Sequence, residues 1–343
     1  GEFVIPAAAA ALAFSFYEQE DQERQLLRYL APKRMLLIFD NAEGILDPDL
    51  VLRILAQAPS VKILVTSRET LDLQQEWLHP IGGMNIDAPE DKGGDEDHKD
   101  QPREPDAVLF FRQCAVRVQP AFDLPRELVH VQRICRLVEG APLAIELAAT
   151  WLKALPCEQV ARELARGIDL LATSMRDVAP RHRSMRAVLA QSWGYLAEDE
   201  QRVFRRLAGF EGGFRLEAAQ GGVEAPLWVL AALVAKSMLQ LRPDGRYYIH
   251  ALLRQLGAEH LAALPEELAT QRDRHTAYFM SYLAARRTAL TGAAQMEALQ
   301  EIQAEMDNIR AAWSHAAATG RRPSRHGELE ALFRFLWMRG RYA

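Results

Sequence analysis

Two five-residue runs, the wholly apolar Met35-Leu-Leu-Ile-Phe39 and the mostly apolar Val61-Lys-Ile-Leu-Val65, constrain this chain more than anything else in it. Both are too short for helices and rich in branched residues, so each reads as a strand. The first, an unbroken apolar run, is expected to be buried on both faces, as is the second. Between them Asp47 or Asp49 can cap a helix running to about Ala58. Strand, helix, strand at this spacing is a βαβ unit and predicts a parallel sheet with covering helices. Upstream, residues 6–16 and 20–30 read as helices, the second with Leu26, Leu27 and Leu30 on one face.

Residues 87–106 change character. They hold nine Asp or Glu against three Lys or Arg, with three prolines and almost nothing apolar. Such a segment cannot bury enough surface to offset backbone ordering of roughly 1–2 kcal/mol per residue, so a mobile acidic loop is expected. From Asp106 onward helical periodicity dominates. Val131, Ile134, Cys135 and Val138 mark one face, and Leu143, Leu147, Trp151 and Leu155 another. Gly140-Ala141-Pro142 separates them, glycine ending one helix and proline opening the next. Further on, Leu239 and Leu241 alternate, Pro243-Asp244-Gly245 turns the chain, and Tyr247 and Ile249 alternate back. Helices followed by such a hairpin give the order of a winged helix. The tail reads as paired amphipathic helices, too few to establish a repeat period.

Composition narrows the function classes. The chain has 343 residues, enough for two to four domains, and 49% of them are hydrophobic. A net charge of -5 gives no global attraction to nucleic acid or to an acidic membrane surface. No apolar run reaches the roughly 18–20 residues that cross a bilayer. Cys114, Cys135 and Cys157 lie far apart, which argues against a disulfide framework or zinc site and fits a reducing cytoplasm.

Few residues carry candidate chemistry. Asp40 ends the first strand, where α/β sheets place ligand-binding groups, and a carboxylate there suits Mg2+ held through water. It equally suits a cap on the next turn. Asn41 beside it cannot take a proton from water, so hydrolysis would be slow unless Glu43 substitutes as the base. Arg68 ends the second strand after Thr66 and Ser67. Its guanidinium suits a terminal phosphate, or a surface pair with Glu69. Pro142 opens a helix at a corner, and His250 follows the hairpin, where a histidine is more often structural than a ligand contact.

The order of these pieces is specific. Leu36-Leu-Ile-Phe-Asp-Asn41 resembles the Walker B strand of STAND-class (NB-ARC-like) signalling ATPases, and Thr66-Ser67-Arg68 resembles their sensor strand. Gly140-Ala-Pro-Leu-Ala-Ile-Glu-Leu-Ala148 is similar to their G-x-P motif, and Tyr248-Ile-His-Ala-Leu-Leu-Arg254 to their M-H-D motif, with Ala251 in the place of the aspartate. Arg181-His-Arg-Ser-Met-Arg186, Glu200-Gln-Arg-Val-Phe-Arg-Arg-Leu-Ala208 and Glu305-Met-Asp-Asn-Ile-Arg-Ala-Ala-Trp313 resemble segments of bacterial transcriptional regulators of this class. The resemblance covers nearly the whole chain.

The resemblance implies an α/β plus mostly α architecture in five parts. Residues 1–86 form a partial P-loop-type parallel α/β domain, 87–106 the acidic loop, and 107–178 a helical domain. Residues 179–265 form a winged-helix domain, and 266–343 the start of a helical, TPR-like region. It also implies an ADP/ATP switch that binds nucleotide with Mg2+ and hydrolyses ATP slowly. Asp40 would hold Mg2+ and Arg68 the terminal phosphate. Pro142 would pack near adenine and His250 would touch the β-phosphate. No G-x-x-x-x-G-K-[ST] phosphate loop occurs in the sequence. In the family that loop lies on an earlier strand, so the chain is expected to start after it and to bind ATP poorly by itself. The implied partners are that loop segment, an effector domain, and a protein or signal ligand on the helical tail, in the cytoplasm. A nucleotide-independent scaffold is the alternative. Direct DNA binding is disfavoured, since residues 181–262 hold 11 Lys or Arg against 8 Asp or Glu, without the concentrated basic face that DNA requires.

Overall fold

The computed structural model describes residues 4–17, 20–87, 104–173, 183–320 and 326–339. The expectation of mobility for 88–105 falls almost wholly outside the described residues. The fold is mostly helical with a small parallel sheet, and the chain divides into two compact units. The first is Gly1–Pro80 with Ala235–Ser237, and the second is the remainder.

The first unit runs α1 (Val4–Ala11), α2 (Gln22–Leu30), β1 (Met35–Phe39), α3 (Pro48–Gln57) and β2 (Val61–Val65). Strands β1 and β2 pair in parallel, Met35 opposite Val61 through Phe39 opposite Val65. Asp47 caps α3 by accepting from the Asp49 N–H at 3.0 Å, and Pro48 occupies the first turn, where its missing donor costs nothing. Asp21 caps α2 in the same way, accepting from the Arg24 N–H at 2.9 Å. Helix α1 stops five residues short of the expected end. Ala13 takes a left-handed backbone (φ 51°) and the Phe14 N–H closes onto the Ala9 carbonyl at 2.9 Å. Phe14 then packs on Tyr29 with ring centroids 4.7 Å apart.

The strands are not buried on both faces as expected. Met35, Leu37, Phe39, Ile63 and Val65 face the core made by Leu26, Leu30, Leu50 and Ile54. Leu36, Ile38 and Leu64 point the other way and are 55%, 61% and 51% exposed. The physical reason is coverage. The helices pack on one face of the two-stranded sheet, so alternation along each strand leaves every second side chain in water.

The second unit contains two cores. One is built by α4 (Asp106–Val118), α5 (Leu124–Leu137), α6 (Pro142–Thr150) and α7 (Cys157–Arg166), around Phe111, Ile134 and Ile145. Met84 and Ile86 pack on it, and the Met84 N–H bonds to the Gly140 carbonyl at 2.9 Å. The unit boundary therefore falls at Pro80, several residues before the expected 86.

Helix α8 (Met185–Gly194) adds Leu189 to the first of these cores, and the other core takes in α9 (Glu198–Leu207), α10 (Leu216–Val223) and α11 (Leu227–Ala235). The hairpin β3 (Gln240–Leu241) and β4 (Tyr247–Tyr248) follows, then α12 (Ala251–Ala262), whose Leu252 and Leu256 join the first core, and α13 (Pro265–Arg286), α14 (Gln295–Ala304), α15 (Met306–Ala318) and α16 (His326–Met338). The hairpin pairs antiparallel about Gly245, whose φ of 77° suits a residue without a Cβ. Phe214 adds a bridge to Tyr247 through bonds of 3.0 and 2.7 Å. Hydrophobic contacts run without a break from Phe204 and Phe210 through Phe279 to Phe335, so one core spans the expected boundary at 265/266. No single helix among the described residues is long and apolar enough to cross a membrane.

His275 lies inside this second core, 5.0 Å from the Phe210 ring and 4.7 Å from Phe279. Burial pushes its pKa down from 6.5 to about 4, outweighing a hydrogen bond donated to Asn308 that favours the charged ring. The unfolded chain therefore takes up a proton that the folded chain refuses between those values. Stability is full above pH 6.5 and falls with acidification, by about 3 kcal/mol at pH 4. Urea unfolding across that range should show the loss, and His275→Phe should flatten it.

Candidate functional site

In the first unit, Asp40 and Thr66 leave the carboxyl ends of adjacent parallel strands, and the register brings them together. The Thr66 hydroxyl donates to Asp40 Oδ1 at 2.6 Å and accepts from the Asn41 N–H at 2.9 Å. Asn41 supplies that N–H from a left-handed backbone (φ 58°), a conformation asparagine tolerates better than most residues. The Thr66 N–H continues the ladder onto the Phe39 carbonyl at 2.9 Å, and the Ala42 N–H onto the Thr66 carbonyl at 3.0 Å. Asp40 is thereby held at the strand edge with its carboxylate exposed to solvent.

Glu43 and Arg68 form a second pair. Glu43 is buried, and Arg68 Nε lies 3.1 Å from its Oε1. Neither Glu43 oxygen accepts a directed hydrogen bond, so the contact is an ion pair with the N–H off the line to the oxygen. The arginine expected to meet a phosphate, or to pair with Glu69, is thus held by Glu43. The same contact occupies the carboxylate expected to replace a catalytic base.

In the second unit, Pro142 and His250 are joined through a residue that the sequence reading did not single out. Glu139 sits at the end of α5 with φ 49°, and Gly140 follows with φ 70°. A Cβ on Gly140 would lie 2.1 Å from the Met84 carbonyl oxygen, so only glycine fits this corner. Pro142 then starts α6 with its ring exposed. The Glu139 carboxylate reaches across to accept from the Tyr248 hydroxyl and, at 2.9 Å, from the Ala251 N–H. Its Oε2 lies 3.7 Å from His250 Nε2.

His250 is the N-cap of α12, and its Nδ1 accepts from the Leu252 N–H at 3.3 Å. That bond places the neutral ring's proton on Nε2, toward Glu139. Burial pushes the His250 pKa down, and the Glu139 charge opposes the shift. Burial and the bond to Glu139 raise the Tyr248 pKa. Beside this cluster is a cleft of about 120 Å³ lined by Glu139, Gly213, Phe214, Tyr248, Ala251 and Arg254. Thr66 was visible in the sequence as part of a motif. Glu139 carried no signal beyond standing next to the glycine of a helix corner.

Set beside known proteins, the chain has relatives in mycobacteria. It is 32% identical over 331 residues to proteins of Mycobacterium bovis and Mycobacterium tuberculosis that bear the provisional name HTH-type transcriptional regulator. The match covers 92% of this chain and 35% of theirs, so the chain spans about a third of the length of these curated relatives. An uncharacterized protein of M. tuberculosis is 29% identical over 190 residues, 54% of this chain and 44% of that one. Among solved structures, the crystal structure of a Signal Transduction ATPase with Numerous Domains (STAND) protein with a tetratricopeptide repeat sensor, from Pyrococcus horikoshii, aligns with 95% of this chain and 47% of its own. The sequence identity there is 14% and the TM-score 0.27. No family model matches the chain.

The Glu139 cluster makes a signed prediction. Glu139→Gln removes the charge that favours the imidazolium, so the His250 pKa should fall further, read as the pH titration of its ring proton by NMR. Glu139→Ala also strands the Tyr248 hydroxyl and the Ala251 N–H, and should cost about 2–3 kcal/mol in urea unfolding.

Proposed function

We propose that this chain is the regulatory core of a nucleotide-switched, STAND-class signalling ATPase that serves bacterial transcription regulation. The observation that carries the reading is the Asp40–Thr66 pair at the carboxyl ends of two parallel strands. That edge is where open α/β sheets gather their ligands. The provisional names of the mycobacterial relatives support the regulatory part of the reading.

The donor set fits Mg2+ with a nucleotide: an exposed carboxylate oxygen, a hard ligand, beside a hydroxyl that fixes its orientation. Asp40 would hold the ion through water while the nucleotide's own oxygens complete the shell. Arg68 would meet the terminal phosphate, and for that the phosphate must draw the guanidinium away from Glu43. Pro142 would lie against adenine. His250, neutral near pH 7 with its proton on Nε2, would donate to the β-phosphate. A phosphate-binding loop supplies most of the grip on a nucleotide in this class, and this chain contains no such motif. The completed module would then control an effector domain, with the helical tail receiving a protein or small-molecule signal.

The DNA-binding reading loses further ground. Helix α11, in the position of a recognition helix, reads Leu-Trp-Val-Leu-Ala-Ala-Leu-Val-Ala and carries no Lys or Arg. The scaffold reading draws on the open apolar sheet face and on Leu329, Phe333 and Trp337, exposed at helical spacing along α16.

Two measurements test the proposal. The chain by itself should bind Mg-ADP and Mg-ATP only in the millimolar range by calorimetry. Losing three charge-assisted bonds costs about 4 kcal/mol or more, roughly a thousandfold in affinity. A longer chain carrying a phosphate loop should bind Mg-ADP at about micromolar concentration, and Asp40→Ala or His250→Ala should each weaken it by at least about tenfold. Micromolar binding by the present chain, or a longer chain indifferent to both substitutions, would overturn the reading.

A further inference from the structure

Three segments far apart in sequence meet in one buried polar cluster of the second unit. Arg246 comes from the hairpin, Glu211–Gly213 from the loop between α9 and α10, and Glu305 and Asn308 from the joint between α14 and α15. The Arg246 guanidinium pairs with Glu305, and its Nη2 donates to the Gly213 carbonyl at 3.0 Å. Asn308 Nδ2 donates to the same carbonyl at 2.9 Å and to Glu305 Oε2 at 2.8 Å, while its Oδ1 accepts from the Glu211 N–H at 2.7 Å. All three side chains belong to residues at least nine-tenths buried.

A buried ion pair is a poor source of net stability, because desolvation offsets most of its attraction and apolar residues of similar volume do as well. Its distinguishing property is direction. These bonds exist only when the α14–α15 joint, the glycine loop and the hairpin stand in one register. The loop is also tied directly to the hairpin. Phe214 and Tyr247 exchange both backbone bonds, and a Cβ on Gly213 would sit 2.8 Å from the Tyr247 carbonyl oxygen. His250 lies two residues beyond the end of β4. Rotation or sliding of the helix pair therefore breaks bonds whose other ends hold the hairpin.

We infer that the Arg246–Glu305–Asn308 cluster is a conformational latch through which the helix pair α14–α15 sets the position of the hairpin and of His250. A load on the tail that shifts the α14–α15 joint releases the hairpin. The latch lies within the second unit and stands whether or not the nucleotide reading holds.

Hydrogen exchange on the full chain tests this. Leu299→Ala loosens α14 by removing a buried core side chain that takes no part in the cluster's bonds. In the otherwise unaltered chain it should speed exchange of the Phe214 and Tyr247 amides by about tenfold, leaving the Ile134 and Ile145 amides of the other core unchanged. In a chain carrying Arg246→Met with Glu305→Leu, which exchanges the ion pair for apolar volume, the same Leu299→Ala change should speed those hairpin amides by less than about twofold. Equal acceleration in both backgrounds, none in the unaltered chain, or acceleration shared by Ile134 and Ile145 would each overturn the inference. Should the double replacement fail to melt cooperatively, Asn308→Ala takes its place under the same criterion.

Discussion

Much of the second unit depends on one carboxylate. Glu139 ends α5 in a left-handed backbone, and its side chain accepts from the Tyr248 hydroxyl and the Ala251 N–H while facing His250. The bond to Ala251 satisfies one of the donors that every helix start leaves unpaired, and the His250 ring satisfies another at Leu252. The turn that positions Glu139 is possible because Gly140 accepts φ 70° and leaves room for the Met84 carbonyl. The same turn puts Pro142 at the start of α6. One corner thus fixes the protonation geometry of His250, the start of α12 and the exposed proline together.

The first unit shows the opposite economy. A parallel pair needs cover on both faces, and here the helices cover one. What remains is an ordered edge with an open apolar face. Asp40 is oriented by Thr66, and Arg68 is held by Glu43, before any ligand is considered. An arginine already paired with a buried carboxylate is a gated group. An anion must outcompete Glu43 to capture it, and leaving Glu43 without its partner carries its own cost.

Near neutral pH the titratable groups agree with this division. His250 is kept neutral by burial and turned by its capping bond, which suits it to donate one proton along a fixed direction. His275 is kept neutral more strongly, wedged between two phenylalanine rings, and serves the core. The difference is what faces each ring. Glu139 stands beside His250, whereas His275 has an uncharged amide, aromatic edges and the ring of His315, whose charge lowers its pKa further.

Sequence alone determined the local grammar of this protein. The two apolar runs, the Asp47-Pro48 start of α3, the Gly140-Ala141-Pro142 corner and the Pro243-Asp244-Gly245 turn all appear where residue chemistry put them. Each depends on dihedral preference, capping or period over a few neighbours. Tertiary structure decided what lies beyond that reach. It left Leu36, Ile38 and Leu64 in water, since an apolar run does not record how many layers will cover it. It chose Glu43 over Glu69 as the partner of Arg68, gave His250 its carboxylate from a helix end over a hundred residues earlier, and drew Glu211, Arg246, Glu305 and Asn308 into one buried cluster. Those choices depend on which segments meet when the cores close, and no periodicity in a single chain encodes a meeting of that kind.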